Sequence, residues 1–256
     1  MNMTKVECID KLKGIPSVKV IRYSVTESTN LAALEYARAN APTEPLVFIA
    51  KEQTAGRGRL GRSFSSLPGG IYMSILTPVD KATAPTDLTV YAAVVTSRVL
   101  SEKYGIDPKI KWVNDIYLGG KKLAGILVQG VISPEGELTH AVMGIGVNVT
   151  SLDMPEEIRD IATSLKIEGI EADVDTLAEE IASYYLGGLS SVCSPEIIEE
   201  YRRRSFIIGS KISVITPVGE YPATAKGISD RCELIIEKEN GDTVFLSTGD
   251  VSIRRK

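Results

Sequence analysis

The stretch Ala55-Gly56-Arg57-Gly58-Arg59-Leu60-Gly61-Arg62-Ser63-Phe64 decides between two kinds of fold. Its core, Gly56-x-Gly58-x-x-Gly61, has the form of a dinucleotide fingerprint, which works only when the glycines open a helix whose N-terminal amides hold a pyrophosphate. Downstream the chain continues Arg62-Ser63-Phe64-Ser65-Ser66-Leu67-Pro68-Gly69-Gly70, with no helical periodicity and with breakers at its end. A doubly wound nucleotide-binding sheet is therefore set aside. A Walker A loop is excluded as well, since no Gly-Lys-Ser/Thr ends the motif. What remains is a loop of guanidinium groups separated by glycines, weighed against a merely solvated basic turn. Glycine lets backbone approach a ligand closely, and Arg offers a planar fork matched to carboxylate and phosphate. Such a loop is expected to be mobile when empty and to close over an anion.

Patterns on either side supply the scaffold. A strand over residues 18–23 precedes a helix over 30–39, capped by Ser28 or Thr29 and ended by Pro42 and Pro45. The run Leu-Val-Phe-Ile-Ala at 46–50 reads as a buried strand delivering the chain to the loop, and residues 71–77 form the next strand. Leu88, Ala92, Val95 and Val99 make a helical stripe over 86–104, with Gly105 placed for a C-cap. Segments 110–112, 116–118, 122–129 and 138–149 read as antiparallel strands, with Gly119-Gly120 as one hairpin turn. Helical patterns return at 155–165, 174–189 and 195–204, the last with Ser194 as cap and Pro195 at its first position. Beyond Phe206 come short strands at 211–216, 221–228, 232–238 and 243–246, separated by turn residues. The expectation is an α+β chain: a mixed, largely antiparallel sheet flanked by helices over residues 1–205, then a small β-barrel over 206–256.

Composition narrows the function. Hydrophobic residues at 43% and charged residues at 24% are ordinary for a globular chain. With 29 basic against 33 acidic residues the net charge is −4, which gives no overall electrostatic footprint for nucleic acid, so anion chemistry must be local. Cys8, Cys193 and Cys232 are too scattered for a metal pair or a disulfide framework and read as structural thiols of a cytoplasmic protein. The polar N-terminus lacks the apolar core of a signal peptide, and no apolar run approaches the length of a membrane span. The one histidine, His140, lies inside an apolar strand, which removes His-based triads and multi-His metal sites. Chemistry is left to Lys, Arg, Asp, Asn and backbone amides.

Two further groups accompany the arginine loop. Lys111-Trp112-Val113-Asn114-Asp115 places a cation, an aromatic ring and polar oxygens at a strand end, with Lys122 in the partner strand, so that Lys111 and Lys122 are expected to face one cleft. Gly144-Ile145-Gly146-Val147-Asn148 puts glycines inside a strand, where they mark close approach of a ligand.

Taken in order, these segments resemble the biotin protein ligases. The resemblance rests on Glu27-Ser28-Thr29-Asn30, on residues 53–62, on Lys111-Trp112-Val113-Asn114-Asp115, on Lys122-Leu123-Ala124-Gly125-Ile126-Leu127 and on Gly144-Ile145-Gly146-Val147-Asn148. It implies a catalytic domain related to class II aminoacyl-tRNA synthetases and an SH3-like barrel after it. The implied reaction joins biotin and ATP, with Mg²⁺, into biotinyl-5'-AMP, then passes the biotinyl group to a lysine of a biotin carboxyl carrier protein. By the same resemblance Ser28, Thr29, Asn30, Gln53, Gly56, Gly144 and Gly146 would surround biotin. Arg57, Gly58 and Arg59 would close over biotin and adenylate, and Lys122 would sit at the junction of the biotin carboxylate and the α-phosphate. Arg62, Phe64, Lys111, Asn114 and Asn148 would lie by the nucleotide. Lys122, Arg59 and Asp115 are the candidate catalytic residues, Asp115 for orienting or deprotonating the acceptor lysine.

Two positions depart from the family pattern. Val113 stands where proline is common, and Phe64 stands where a tryptophan often packs near adenine. Repressor-type relatives carry an N-terminal helix-turn-helix domain for which this sequence has no room, so DNA binding is not expected; members of the family it resembles often form homodimers through a sheet edge. The competing readings are a lipoate ligase or octanoyl transferase of the same superfamily, and a non-catalytic module that holds biotin or its adenylate.

Overall fold

The computed structural model describes residues 5–12, 14–66, 68–79, 84–216, 219–247 and 249–253. Eight strands form the larger sheet: β1 (Lys5–Leu12), β2 (Ile15–Thr26), β3 (Leu46–Gln53), β4 (Gly70–Pro78), β5 (Lys109–Lys111), β6 (Asp115–Leu118), β7 (Lys121–Ile132) and β8 (Leu138–Asn148). Their spatial order is β1-β2-β3-β4-β8-β7-β6-β5. Only β2 and β3 run parallel; the other neighbours are antiparallel, as expected of a mixed, largely antiparallel sheet.

The run at 46–50 shows why the sheet is covered on both faces. Val47 and Ile49 pack into one core together with helices α2 (Pro85–Tyr104), α3 (Val174–Gly187) and α4 (Pro195–Arg204), while Leu46, Phe48 and Ala50 pack beneath α1 (Thr29–Asn40). A strand buried on both faces has no reason to alternate, hence its unbroken apolar sequence. The stripe predicted on α2 is buried, and Gly105 closes that helix at φ +66° with its N–H on the Ser101 carbonyl. Ser194 caps α4 by accepting from the Ile197 N–H. Gly119 and Gly120, at φ +58° and +81°, make the β6–β7 turn that two positive φ angles require.

Five further strands, β9 (Lys211–Thr216), β10 (Gly219–Ile228), β11 (Leu234–Lys238), β12 (Thr243–Leu246) and β13 (Asp250–Ile253), form an antiparallel sheet in the order β12-β11-β10-β9-β13. Among the described residues β12 and β13 remain its two edges, so the expected barrel is seen as an open sheet. Its inner face, with Ile212, Val214, Ile236 and Val251, shares one core with Trp112 and Tyr201.

One expected helix is absent and two strands are additional. Residues 155–165 are not a helix but a run of turns, because backbone at 161–163 pairs with Lys122 on the rim of β7 instead. Strands β1 and β13 were not legible: β1 is a polar edge strand and β13 a four-residue one. No described helix is long and apolar enough to cross a membrane.

Candidate active site

The arginine loop rises from the end of β3 and is itself a small hairpin. The Gly58 N–H donates to the Arg62 carbonyl (2.7 Å) and the Phe64 N–H to the Gly56 carbonyl (2.9 Å), around a tight turn at Arg59–Gly61. A Cβ on Gly56 would stand 2.5 Å from the Phe64 carbonyl oxygen, so the hairpin's own closure requires this glycine. The loop thus has more internal structure than its composition suggests.

Under this hairpin lies a cleft of about 120 Å³. At one end its floor is neutral and polar. Gln53 Oε1 accepts from the Thr29 N–H at 2.8 Å, taking one of the unsatisfied donors at the start of α1, a role that sequence reasoning gave to a Ser28 or Thr29 cap. Gln53 Nε2 donates to Ser66 Oγ at 3.0 Å. Behind Thr29, fully buried Ser74 contacts Thr29 Oγ1 (2.8 Å) and Asn30 Oδ1 (2.6 Å). Asn30 Nδ2 donates to Gln129 Oε1 (2.9 Å) and the Leu127 carbonyl (3.3 Å).

The strand glycines make room for these groups. A Cβ on Gly144 would fall 2.0 Å from Asn30 Oδ1, and one on Gly146 would fall 2.5 Å from the Phe64 ring. Close approach is confirmed at both positions, but the approaching groups belong to the protein. Phe64 lies against Gly146 and meets Tyr72 edge to face, ring centroids 6.4 Å apart.

The other end is charged. Lys122 Nζ pairs with Asp115 Oδ1 at 2.6 Å. Backbone fixes this lysine on both sides, its N–H donating to the Ile161 carbonyl (2.8 Å) and its carbonyl accepting from Thr163 (2.9 Å). Asn114 Nδ2 donates to the Ile126 carbonyl (2.7 Å), which turns its oxygen to accept from Arg59 at 3.3 Å. The turn bearing Asn114 is held from behind: Tyr201 donates to the Val113 carbonyl (3.0 Å) and Trp112 Nε1 to the Cys232 carbonyl (3.1 Å). The Trp112–Val113 peptide is cis. The three arginines are not equivalent. Arg57 pairs with Glu27 at 3.2 Å and Arg62 pairs with Asp250 of β13, whereas Arg59 meets the neutral amide of Asn114.

Most of the sequence-derived residues therefore line one cleft: Ser28, Thr29, Asn30, Gln53, Arg57, Gly58, Arg59, Arg62, Phe64, Asn114, Asp115, Lys122, Gly144 and Gly146. Three do not. Gly56 is buried in the hairpin; Lys111, on outermost β5, stands one strand beyond Asp115; Asn148 donates to the Thr163 carbonyl at 2.9 Å. The expectation that Lys111 and Lys122 face one cleft is thereby corrected: Lys122 lines it and Lys111 does not. Sequence reasoning missed Tyr72, Ser74, Gln129 and Asp250. Ser74 sits in an apolar strand with no signal beyond a polar residue on a buried face, and Asp250 arrives from the second sheet. His140 is a satisfied core residue, Nε2 at 2.9 Å from the Pro42 carbonyl. Burial pushes the Cys232 thiol up to about 12, as befits a structural thiol.

Residues 23–148 match the Biotin/lipoate A/B protein ligase family, and residues 207–254 match the Biotin protein ligase C terminal domain. The chain is 35% identical over 241 residues to the biotin--[acetyl-CoA-carboxylase] ligase of Mycobacterium tuberculosis, covering 88% of this chain and 85% of that protein. It is 34% identical to the bifunctional ligase/repressor BirA of Bacillus subtilis, over 87% of this chain and 70% of that one. A solved biotin protein ligase from Aquifex aeolicus, in complex with biotin and ATP, superposes with a TM-score of 0.79 at 26% identity, covering 93% of this chain and 99% of that chain. The glycine-arginine hairpin, the Lys122–Asp115 pair and the relatives agree, and the chain belongs to the biotin protein ligase family.

Proposed function

We infer that this protein is a biotin ligase that works in two steps. The biotin carboxylate attacks the α-phosphate of ATP, forming biotinyl-5'-AMP and releasing pyrophosphate. The ε-amine of a lysine on a biotin carboxyl carrier protein then attacks the acyl carbon, forming an amide and releasing AMP. One observation carries the reading: Arg59 and Lys122 converge on one end of a cleft whose other end is a neutral, hydrogen-bonding floor.

The first step pushes two anions together, so its barrier is electrostatic, and fixed cations in a sheltered cleft lower it. Lys122 and Arg59 are the catalytic candidates for that role. Among the described residues Arg59 makes no ion pair, so its charge is the one left for a ligand, while Arg57 and Arg62 are partly offset by Glu27 and Asp250. Phosphate oxygens can take over Lys122 from Asp115. Asp115, released in this way, is placed to orient or deprotonate the incoming lysine. Thr29, Gln53 and Asn30 hold the biotin ring, and Phe64 and Asn114 lie by the nucleotide. The hairpin excludes water from an adenylate that hydrolyses readily.

Among the described residues no three His, Cys, Asp or Glu side chains converge on a metal-sized site. A resident metal cage does not fit, and Mg²⁺ belongs to this reading only as part of the MgATP substrate. The reading also includes a catalytic unit over 1–205 and a C-terminal unit over 206–256 that closes as an SH3-like barrel. It includes the relation to class II synthetases, a cytoplasmic setting, self-association through a sheet edge and no DNA partner.

The experiment supplies ATP, Mg²⁺ and either biotin or lipoate, and follows pyrophosphate release and transfer to a carrier domain. Turnover with biotin alone supports the reading. Turnover with lipoate alone assigns the rival ligase, and turnover with neither leaves a binding module.

A further inference from the structure

The floor of the cleft contains more close polar contacts than it has hydroxyl protons, and counting them fixes their direction. The Asn30 amide is oriented by the Leu127 carbonyl, which can only accept, so Asn30 presents oxygen to Ser74. Gln53 is oriented by the Thr29 N–H, which can only donate, so Gln53 presents oxygen to Thr29. Ser74 and Thr29 each own one hydroxyl proton. Three contacts compete for these two protons: Ser74 with Asn30 Oδ1 at 2.6 Å, Ser74 with Thr29 Oγ1 at 2.8 Å, and Thr29 Oγ1 with Gln53 Oε1 at 3.2 Å. Two oxygens held at 2.6 Å without a proton between them repel far more than two at 3.2 Å, so the short contacts take the protons. Ser74 therefore donates to Asn30, and Thr29 donates to Ser74. That leaves Thr29 Oγ1 and Gln53 Oε1 as neighbouring acceptors on the cleft wall, with no proton between them.

We propose that Ser74 is a positioning residue which, by taking the Thr29 proton, turns Thr29 and Gln53 into a paired acceptor for one ureido N–H of the ligand ring. The inference rests on the biotin reading and adds how the floor selects a ring that donates. With Ser74 in place, a ring lacking that N–H meets two lone pairs that nothing satisfies. Without it, the Thr29 hydroxyl is free to turn its proton to Gln53, and the floor no longer depends on a donor from the ligand.

The test is a cycle between protein and ligand. Affinities are measured for biotin and for the two cyclic carbamates in which one or the other ureido N–H is replaced by oxygen, with wild-type protein, Ser74→Ala and Ser74→Cys. Wild type is expected to prefer biotin over one carbamate by about tenfold or more, the scale of one buried hydrogen bond. In Ser74→Ala that preference should shrink to about threefold or less, through weaker binding of biotin rather than through ATP, whose KM stays unchanged. Ser74→Cys, which keeps a weak acceptor at that position on a larger atom, should fall between, and thermal unfolding of both variants checks that the fold is kept. Equal loss for biotin and carbamate would make Ser74 merely structural and overturn the proposal. So would a wild-type protein that binds both carbamates as tightly as biotin, a result that needs no variant. A wild type that binds none of these compounds would instead overturn the biotin reading itself.

Discussion

Replacing Gly144 by alanine tests how tightly the floor is built. The added Cβ would lie 2.0 Å from Asn30 Oδ1 and 2.8 Å from its Cγ. Asn30 cannot simply turn away, because its amide is held by Ser74 at 2.6 Å, Gln129 at 2.9 Å and Leu127 at 3.3 Å. Displacing it sacrifices two or three hydrogen bonds at about 1 kcal/mol each, so the expected cost is about 2–3 kcal/mol. For a chain of this size that corresponds to a fall in Tm of roughly 4–12 °C. Gly187→Ala is the control: nothing stands within 4 Å of its added Cβ, and it lies at the end of α3. A helix favours Ala over Gly, so that change should be neutral or stabilising by up to about 1 kcal/mol. The assay is thermal unfolding together with biotin titration. A Gly144→Ala protein with wild-type Tm and biotin affinity would refute the reasoning.

Other predictions concern the supports. Glu200 accepts from Arg98 (3.2 Å) and Arg204 (2.9 Å) between α2 and α4; burial works to raise its pKa, but the two guanidinium groups win and hold it below 4.5. Its stabilising contribution is therefore complete at neutral pH and lost as pH falls through that lowered value, whereas Glu200→Gln should cost about 3 kcal/mol at pH 7 and flatten the acid limb of stability. Trp112→Phe strands the buried Cys232 carbonyl and should cost about 1–3 kcal/mol in urea unfolding. Asp115→Asn should still make adenylate yet transfer it slowly to a carrier domain; transfer at the wild-type rate would remove Asp115 from the second step.

Much of this was legible in the sequence because it is local. The apolar run at 46–50, the stripe on α2, the Ser194 cap and the Gly119-Gly120 turn each declare themselves within a few residues. Failures occurred where distant backbone decided. Residues 161–163 carry a helical pattern but pair with Lys122, and tertiary hydrogen bonding outweighs a weak periodic preference. The site shows the same division. Thr29, Gln53, Arg59 and Lys122 were named from motifs, but Ser74 and Gln129 hold Thr29 and Asn30 from other strands and Asp250 reaches the cleft from the second sheet, and their roles exist only once the sheets are assembled.

The central claim is that fixed positive charge from Lys122 and Arg59 allows carboxylate and phosphate to meet. Biotin-dependent exchange of labelled pyrophosphate into ATP reads that step alone, without carrier protein. Lys122→Met and Arg59→Met should each slow exchange by about 100-fold or more at saturating biotin while the fold is kept, the scale expected when one preorganised electrostatic group is lost. Exchange at the wild-type rate in both variants would contradict the account.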